Sequence, residues 1–257
     1  MSSTQSIQTG AIPSADATGA LVAMPAVDPT WKSLYTVGGA AALISAVFLP
    51  IQIIVFIAFP LPDSVIGWFT LFQHNRLVGL VDLDLLLVAD NVLLVPILLA
   101  LYVALKPTSQ SIMALGTTLG FVGLALFIAS NPAFAMLSLS DHYAAATTDA
   151  QRSVFLAAGQ TMLASWQGTA FQVAYILGSI AGLAVSVVML WSNSFNKGTA
   201  SAGILANAIG LGLFVPTIGV FIAVFSVVFL WLWYILVARR LFQLGQTDVH
   251  QTPAMSG

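Results

Sequence analysis

Six uninterrupted apolar runs, most of them about as long as a bilayer is thick, decide what this chain can fold into. They extend from about Leu34 to Phe59, Leu80 to Leu105, Ser111 to Leu137, Gly168 to Trp191, Gly198 to Phe214 and Thr217 to Ala238. In hydrocarbon a backbone N–H or C=O must be paired inside the protein, so such runs fold as helices. The composition agrees: 59% of the residues are hydrophobic and 6% charged, where a soluble domain carries about 25% charged residues. The expected fold class is an all-α membrane protein, a bundle of about six transmembrane helices with external interfacial helices. Residues 1–30, rich in Ser, Thr, Ala and Gly, are expected to form a disordered tail, 31–245 the membrane domain, and 246–257 a second polar tail. The first 30 residues lack the basic start and compact apolar segment of a cleaved signal, so the first span is expected to serve as an uncleaved anchor.

The cations set an expected orientation. With six spans, Lys32, Lys106, Lys197, Arg239 and Arg240 fall on one side and only Arg76 and Arg152 on the other. The positive-inside rule makes the first side cytoplasmic, so both termini are expected in the cytoplasm of a multi-pass cell-membrane protein. Trp31, Tyr35, Tyr102, Trp191, Trp231, Trp233 and Tyr234 read as an inner aromatic belt, and Trp68, Tyr143 and Trp166 as an outer one. The net charge of −2 offers no basic patch for nucleic acid. Cysteine is absent, which excludes disulfides and thiolate chemistry.

Both long connections are external. The first carries Trp68, Phe69, Leu71 and Phe72 and reads as an interfacial helix or re-entrant turn. The second opens with Thr148-x-x-Gln151, a capping-box pattern, followed by Phe155, Gly159, Met162, Leu163 and Trp166 on one helical face. It reads as an amphipathic helix or as the start of a long fourth helix. Val215-Pro216-Thr217-Ile218-Gly219 has the breakers of a helix hairpin. Small residues at four-residue spacing (Gly38, Ala42 and Ala46; Gly116 and Gly120; Gly178, Gly182 and Ser186; Ala206 and Gly210) are expected to let helices approach closely within one bundle.

Three stretches carry a resemblance: Phe195-Asn-Lys-Gly-Thr-Ala, Leu230-Trp-Leu-Trp-Tyr-Ile-Leu-Val-Ala-Arg-Arg-Leu-Phe-Gln-Leu-Gly, and Asp90-Asn-Val-Leu-Leu-Val-Pro-Ile-Leu-Leu-Ala-Leu-Tyr-Val-Ala-Leu. Together they resemble a family of small bacterial polytopic membrane proteins known only as a domain of unknown function. The resemblance covers about Trp31 to Gly245 and implies a bacterial inner-membrane protein; it implies no activity.

Chemistry is most plausible at Asp90-Asn91. Asp90 lies 16 residues outward from Lys106, roughly 24 Å at 1.5 Å per residue, inside the outer leaflet. A charge deep in hydrocarbon costs on the order of 2.5–3.5 kcal/mol, so this side chain is expected to face the bundle. Gln52, Asn131, Gln167, Gln172 and Asn207 are further embedded polar residues. One reading builds an outward-open pocket from Asp90, Asn91, Gln52, Gln172 and Asn207. The other makes them a hydrogen-bond network that fixes helix register. His74, Arg76, Asp82 and Asp84 cluster at the outer mouth of the second span, with Asp141-His142 ending the third. Their spacing matches no metal motif, so they read as solvated residues, with a His74–Asp or Arg76–Asp pair tying the loop to the span.

No metal or cofactor is expected. Metalloprotease, serine-hydrolase and P-loop motifs are missing, no Lys lies within a span for a Schiff base, and no pair of membrane His suits haem. Four functions stay open: binding or sensing a small molecule, ion- or proton-coupled transport through Asp90, intramembrane catalysis, and a structural role without ligand. The first asks least of the sequence.

Overall fold

The computed structural model describes residues 29–246. The two tails expected at 1–30 and 246–257 fall almost wholly outside the described residues. Ten α-helices account for the described chain: α1 (Lys32–Ala58), α2 (Val65–His74), α3 (Arg76–Asp82), α4 (Leu85–Leu105), α5 (Gln110–Ser130), α6 (Ala133–Ala145), α7 (Asp149–Trp166), α8 (Thr169–Trp191), α9 (Lys197–Gly210) and α10 (Gly219–Gln246). No strand occurs among the described residues. The protein is an all-α membrane bundle.

Among the described residues, five helical stretches are long and apolar enough to cross a membrane: α1, α4, α5 with α6, α7 with α8, and α10. The fifth expected span is shorter. It is the 14-residue α9, continued by a 3-10 turn at Leu211–Phe214. Six helices nevertheless close a ring, in which α1 packs on α4, α4 on α5, α5 on α8, α8 on α9, α9 on α10 and α10 on α1.

Two expected spans are broken where polar residues interrupt them. The second divides at Leu83-Asp84 into α3 and α4, and the third at Asn131-Pro132 into α5 and α6. Pro132 cannot supply a backbone N–H, and the Asn131 side chain compensates by accepting from the Ala133 N–H at 3.0 Å. The sixth span is longer than its arginines suggested. α10 runs through Arg239 and Arg240 to Gln246, with Leu241 and Leu244 buried. Arg240 Nε donates to the Ser194 carbonyl, which fixes the loop before α9 against α10.

The molecule has two apolar cores. The half of the ring towards the Leu105 end of α4, its inner half, is filled by Ile97, Leu101, Leu105, Met113, Val188, Met189, Val237 and Leu241. Outside the ring, α2, α3, α6 and α7 pack around Trp68, Phe69, Phe72, Leu83 and Met136. The two long connections thus form a cap with its own core, in which α7 begins at the expected Thr148–Gln151 capping box. The buried Ser140 hydroxyl donates to the Phe69 carbonyl at 2.9 Å and joins α6 to α2.

The aromatic belts need correction. Tyr234 and Trp233 are buried in the ring, and Trp68 is buried in the cap. Close approach explains the small residues. A Cβ at Gly38 meets the Ala100 Cβ at 2.8 Å and the Pro96 carbonyl at 3.1 Å, so α1 can lie on α4 only without a side chain there. At Gly203 a Cβ collides with Ser186 and Trp233, whereas at Gly178 it meets nothing within 4 Å. Gly38→Val is therefore expected to destabilise the bundle by about 1–3 kcal/mol. Gly178→Ala is expected to be neutral or stabilising, by up to about 1 kcal/mol. Thermal unfolding of both variants in detergent checks the contrast; equal effects would contradict the helix-to-helix approach described.

Candidate functional site

The inner core does not continue through the outer half of the ring. A cavity of about 450 Å³ lies there between α4, α5, α8, α9 and α10, with Leu49 of α1 also in its wall. Its innermost wall on α4 and α10 is Leu98, Trp233 and Tyr234. Five glycines line it, Gly120 and Gly123 on α5, Gly178 and Gly182 on α8, and Gly210 on α9, and of these Gly178 faces open space while the others let neighbouring groups approach closely. Gly178, Val220 and Val224 line the cavity and are also exposed on the surface, so the cavity is not sealed.

Three of the five polar residues expected to share a pocket, Asp90, Asn91 and Asn207, line this cavity. Asp90 is 5% exposed, and its Oδ2 accepts from the Tyr234 hydroxyl at 3.0 Å. The Ser45 hydroxyl stands beside the carboxyl, and Oδ1 has no well-formed hydrogen bond. Asn91 and Asn207 each donate to the carbonyl four residues back, Leu87 and Gly203, both at 2.8 Å. The other two residues serve elsewhere. Gln172 donates to the Gln167 carbonyl at 3.2 Å, and Gln52 turns away from the cavity to the end of α3.

Sequence reasoning missed Tyr234, Tyr175 and Ser226. Tyr234 had the signature of a belt aromatic; only the extension of α10 beyond the arginines places it deep enough to reach Asp90. Tyr175 donates to the Gly210 carbonyl at 3.0 Å and closes the end of α9 onto α8. Its signal was an isolated polar tip within an apolar run.

Gln52 belongs to a second polar centre, at the break between α3 and α4. At the break the Val81 carbonyl accepts from the Asp84 N–H at 2.9 Å in a tighter turn, and the Leu83 carbonyl has no helical partner. Gln52 Nε2 donates to the first at 3.0 Å and Asn131 Nδ2 to the second at 2.6 Å. Asp84 has φ 63°, a left-handed conformation that Asp adopts more readily than most residues. Its Oδ2 accepts from Trp166 Nε1 at 2.8 Å. Asp82 is fully buried with both carboxyl oxygens unpartnered. The expectation that Asp82 and Asp84 are solvated is therefore overturned, because the cap closes over them. His74 and Arg76 do stay exposed. Arg76 pairs with Asp141 at 2.8 Å, which ties α3 to α6 instead of to the second span. His74 Nδ1 lies 2.8 Å from its own helix, at the Thr70 carbonyl. Among the described residues no three His or Asp side chains gather as metal ligands.

Burial pushes Asp82 up to about 6. It does the same for Asp84, to about 6, against the lowering effect of the Trp166 hydrogen bond and with a smaller push from neighbouring Asp82. Both precede the span formed by α4. The ordinary value is 3.8, so between that pH and about 6 the folded protein holds more protons than the unfolded chain. Stability is then greatest at low pH and falls as pH rises through 6. Going from pH 7.5 to pH 5 is expected to stabilise the fold by on the order of 1 kcal/mol for each carboxyl. Asp82→Asn should remove its share of that slope and raise stability at pH 7.5. Unfolding midpoints in detergent across this range measure both effects, and a flat wild-type profile would contradict the burial argument.

The chain matches no known protein-family model, no curated protein and no solved structure.

Proposed function

We propose that this is a membrane-embedded binding or sensing protein that holds a small, largely apolar molecule in the outer half of its helix ring. The observation that carries this reading is the cavity of about 450 Å³ walled by Asp90, Asn91 and Asn207. Ligand sites are typically concave, mostly apolar and furnished with a few polar groups, at volumes of about 300–1,000 Å³. The packed inner core of Leu101, Leu105, Val188 and Leu241 favours binding over transport, since it closes the route inward from the cavity. No imidazole lines the cavity beside Asp90, and so no acid–base pair supports catalysis. A structural role is the second reading. It is favoured by the Tyr234–Asp90 bond, which joins α10 to α4 in the manner of a register lock.

Native mass spectrometry from nanodiscs separates the two. The wild type is expected to retain an adduct that Gly178→Trp loses, because the indole fills the cavity where a side chain meets no neighbour. A bare mass for the wild type under conditions that preserve bound lipid would favour the structural role.

The same reading places the protein in a bacterial inner membrane with both termini in the cytoplasm. The distribution of Lys and Arg supports this orientation, and the resemblance in α4, α9 and α10 supports the bacterial origin. The chain has no cysteine of its own, so single cysteines report cleanly. In intact cells a membrane-impermeant maleimide is expected to label Thr147→Cys, before α7, and to spare Thr108→Cys, after α4. The reverse pattern would put the termini outside.

A further inference from the structure

The polar groups of the cavity have been sorted by the fold. One amide N–H each of Asn91 and Asn207, and the hydroxyl hydrogens of Tyr175 and Ser226, are spent on backbone carbonyls, of Leu87, Gly203, Gly210 and Ala223 respectively, at 2.7–3.0 Å. A carbonyl oxygen only accepts, so the amide atom facing it must be nitrogen, and the position of each Asn Oδ1 follows. What the lining retains is mostly acceptor capacity, the two Asn Oδ1 atoms and the lone pairs of the Tyr175 and Ser226 hydroxyls, against one further N–H on each Asn amide. The Ser179 hydroxyl can act either way. The Trp233 indole N–H is turned against Gly203 beside the Ser186 hydroxyl.

Charge and aromatic surface point the same way. Asp90 is the sole formally charged group among the lining residues, and no Lys, Arg or His joins it. Phe127, Phe171 and Tyr175 form a run of adjacent rings along the wall, with centroids 6.0 and 6.2 Å apart. Ring faces attract cations, more strongly where water is excluded.

Resting on the binding reading above, the geometry points to a lipophilic ammonium as the ligand class: a protonated amine on an apolar body. Its N–H groups satisfy the acceptors, its charge meets Asp90 and the ring faces, and its body fills the apolar remainder. A carboxylate meets the Asp90 carboxyl and a mostly accepting lining, and is disfavoured. Because Gly178, Val220 and Val224 are exposed at the cavity, in a part of the bundle that faces lipid, the ligand is one that partitions into the membrane before it binds.

Three probes of one shape test this: 4-phenylbutylamine, 4-phenylbutanol and 4-phenylbutyrate, each measured by equilibrium binding to the protein in phosphatidylcholine nanodiscs with empty nanodiscs subtracted. The amine is expected to bind at least about tenfold more tightly than the alcohol, and the acid most weakly. Asp90→Asn, which keeps an acceptor for Tyr234, should erase the amine's advantage, and Gly178→Trp should abolish binding of all three. If the amine and the alcohol bind the wild type equally, and Gly178→Trp abolishes both, the ligand class is wrong while the cavity remains a binding site. If no probe shows binding sensitive to Gly178→Trp, the binding reading falls and takes the ligand class with it.

Discussion

A buried backbone group must find a partner, and the break between α3 and α4 is where this chain meets that constraint most sharply. The turn at Leu83-Asp84 interrupts a helix that would otherwise continue, tightens the bonding at the Val81 carbonyl and leaves the Leu83 carbonyl without a helical partner. Three side chains from three other segments answer it: Gln52 from α1, Asn131 from the α5–α6 joint and Trp166 from the end of α7. Removing Asn131 or Trp166 leaves a buried polar group unsatisfied, at about 1–3 kcal/mol each. Because the break redirects the chain, α3 can join α2, α6 and α7 in the cap while α4 runs inward as a ring helix. The placement of Asp90 and Asn91 on α4 depends on where α4 starts.

The ring divides by function along its length. Its inner half is packed with large aliphatic side chains, and its outer half holds the five cavity-lining glycines. The same residue type serves two opposite ends here. At Gly38 and Gly203 the missing side chain admits a neighbouring helix, and at Gly178 it leaves open space. The cap does not roof the cavity, since none of the lining residues comes from α2, α3, α6 or α7. Its stability and the contents of the cavity are coupled only through shared ring helices.

Much of this was legible from hydropathy and breakers. The spans, the α9–α10 hairpin and the start of α7 each have a local signal, in apolar length, in Pro and Gly, or in a capping box. The breaks at Asp84 and Asn131 do not, because hydropathy averages over a window and a single Asp or Asn barely lowers it. Their cause is tertiary: a break is tolerable only where distant side chains repair it. For the cavity, Asp90, Asn91 and Asn207 were legible as embedded polar residues. The roles of Gln52 and Gln172 were not, since helical phase alone does not say which neighbour a long amide reaches. Tyr234 was hidden by the rule that arginines mark the end of a span, which does not hold for a helix that continues past them, as α10 does to Gln246.

The separate cores have a kinetic corollary. Cooperative opening follows contiguous packing, and regions with their own core can open at a free energy below that of global unfolding. The cap's aromatic cluster around Trp68 and Phe69 and the ring's aliphatic core meet mainly through the α3–α4 break, so the cap has the makings of a distinct foldon. Amide hydrogens of α2 and α6 would then exchange in a burst of their own, while those of α4 and α10 wait for the whole ring to come apart.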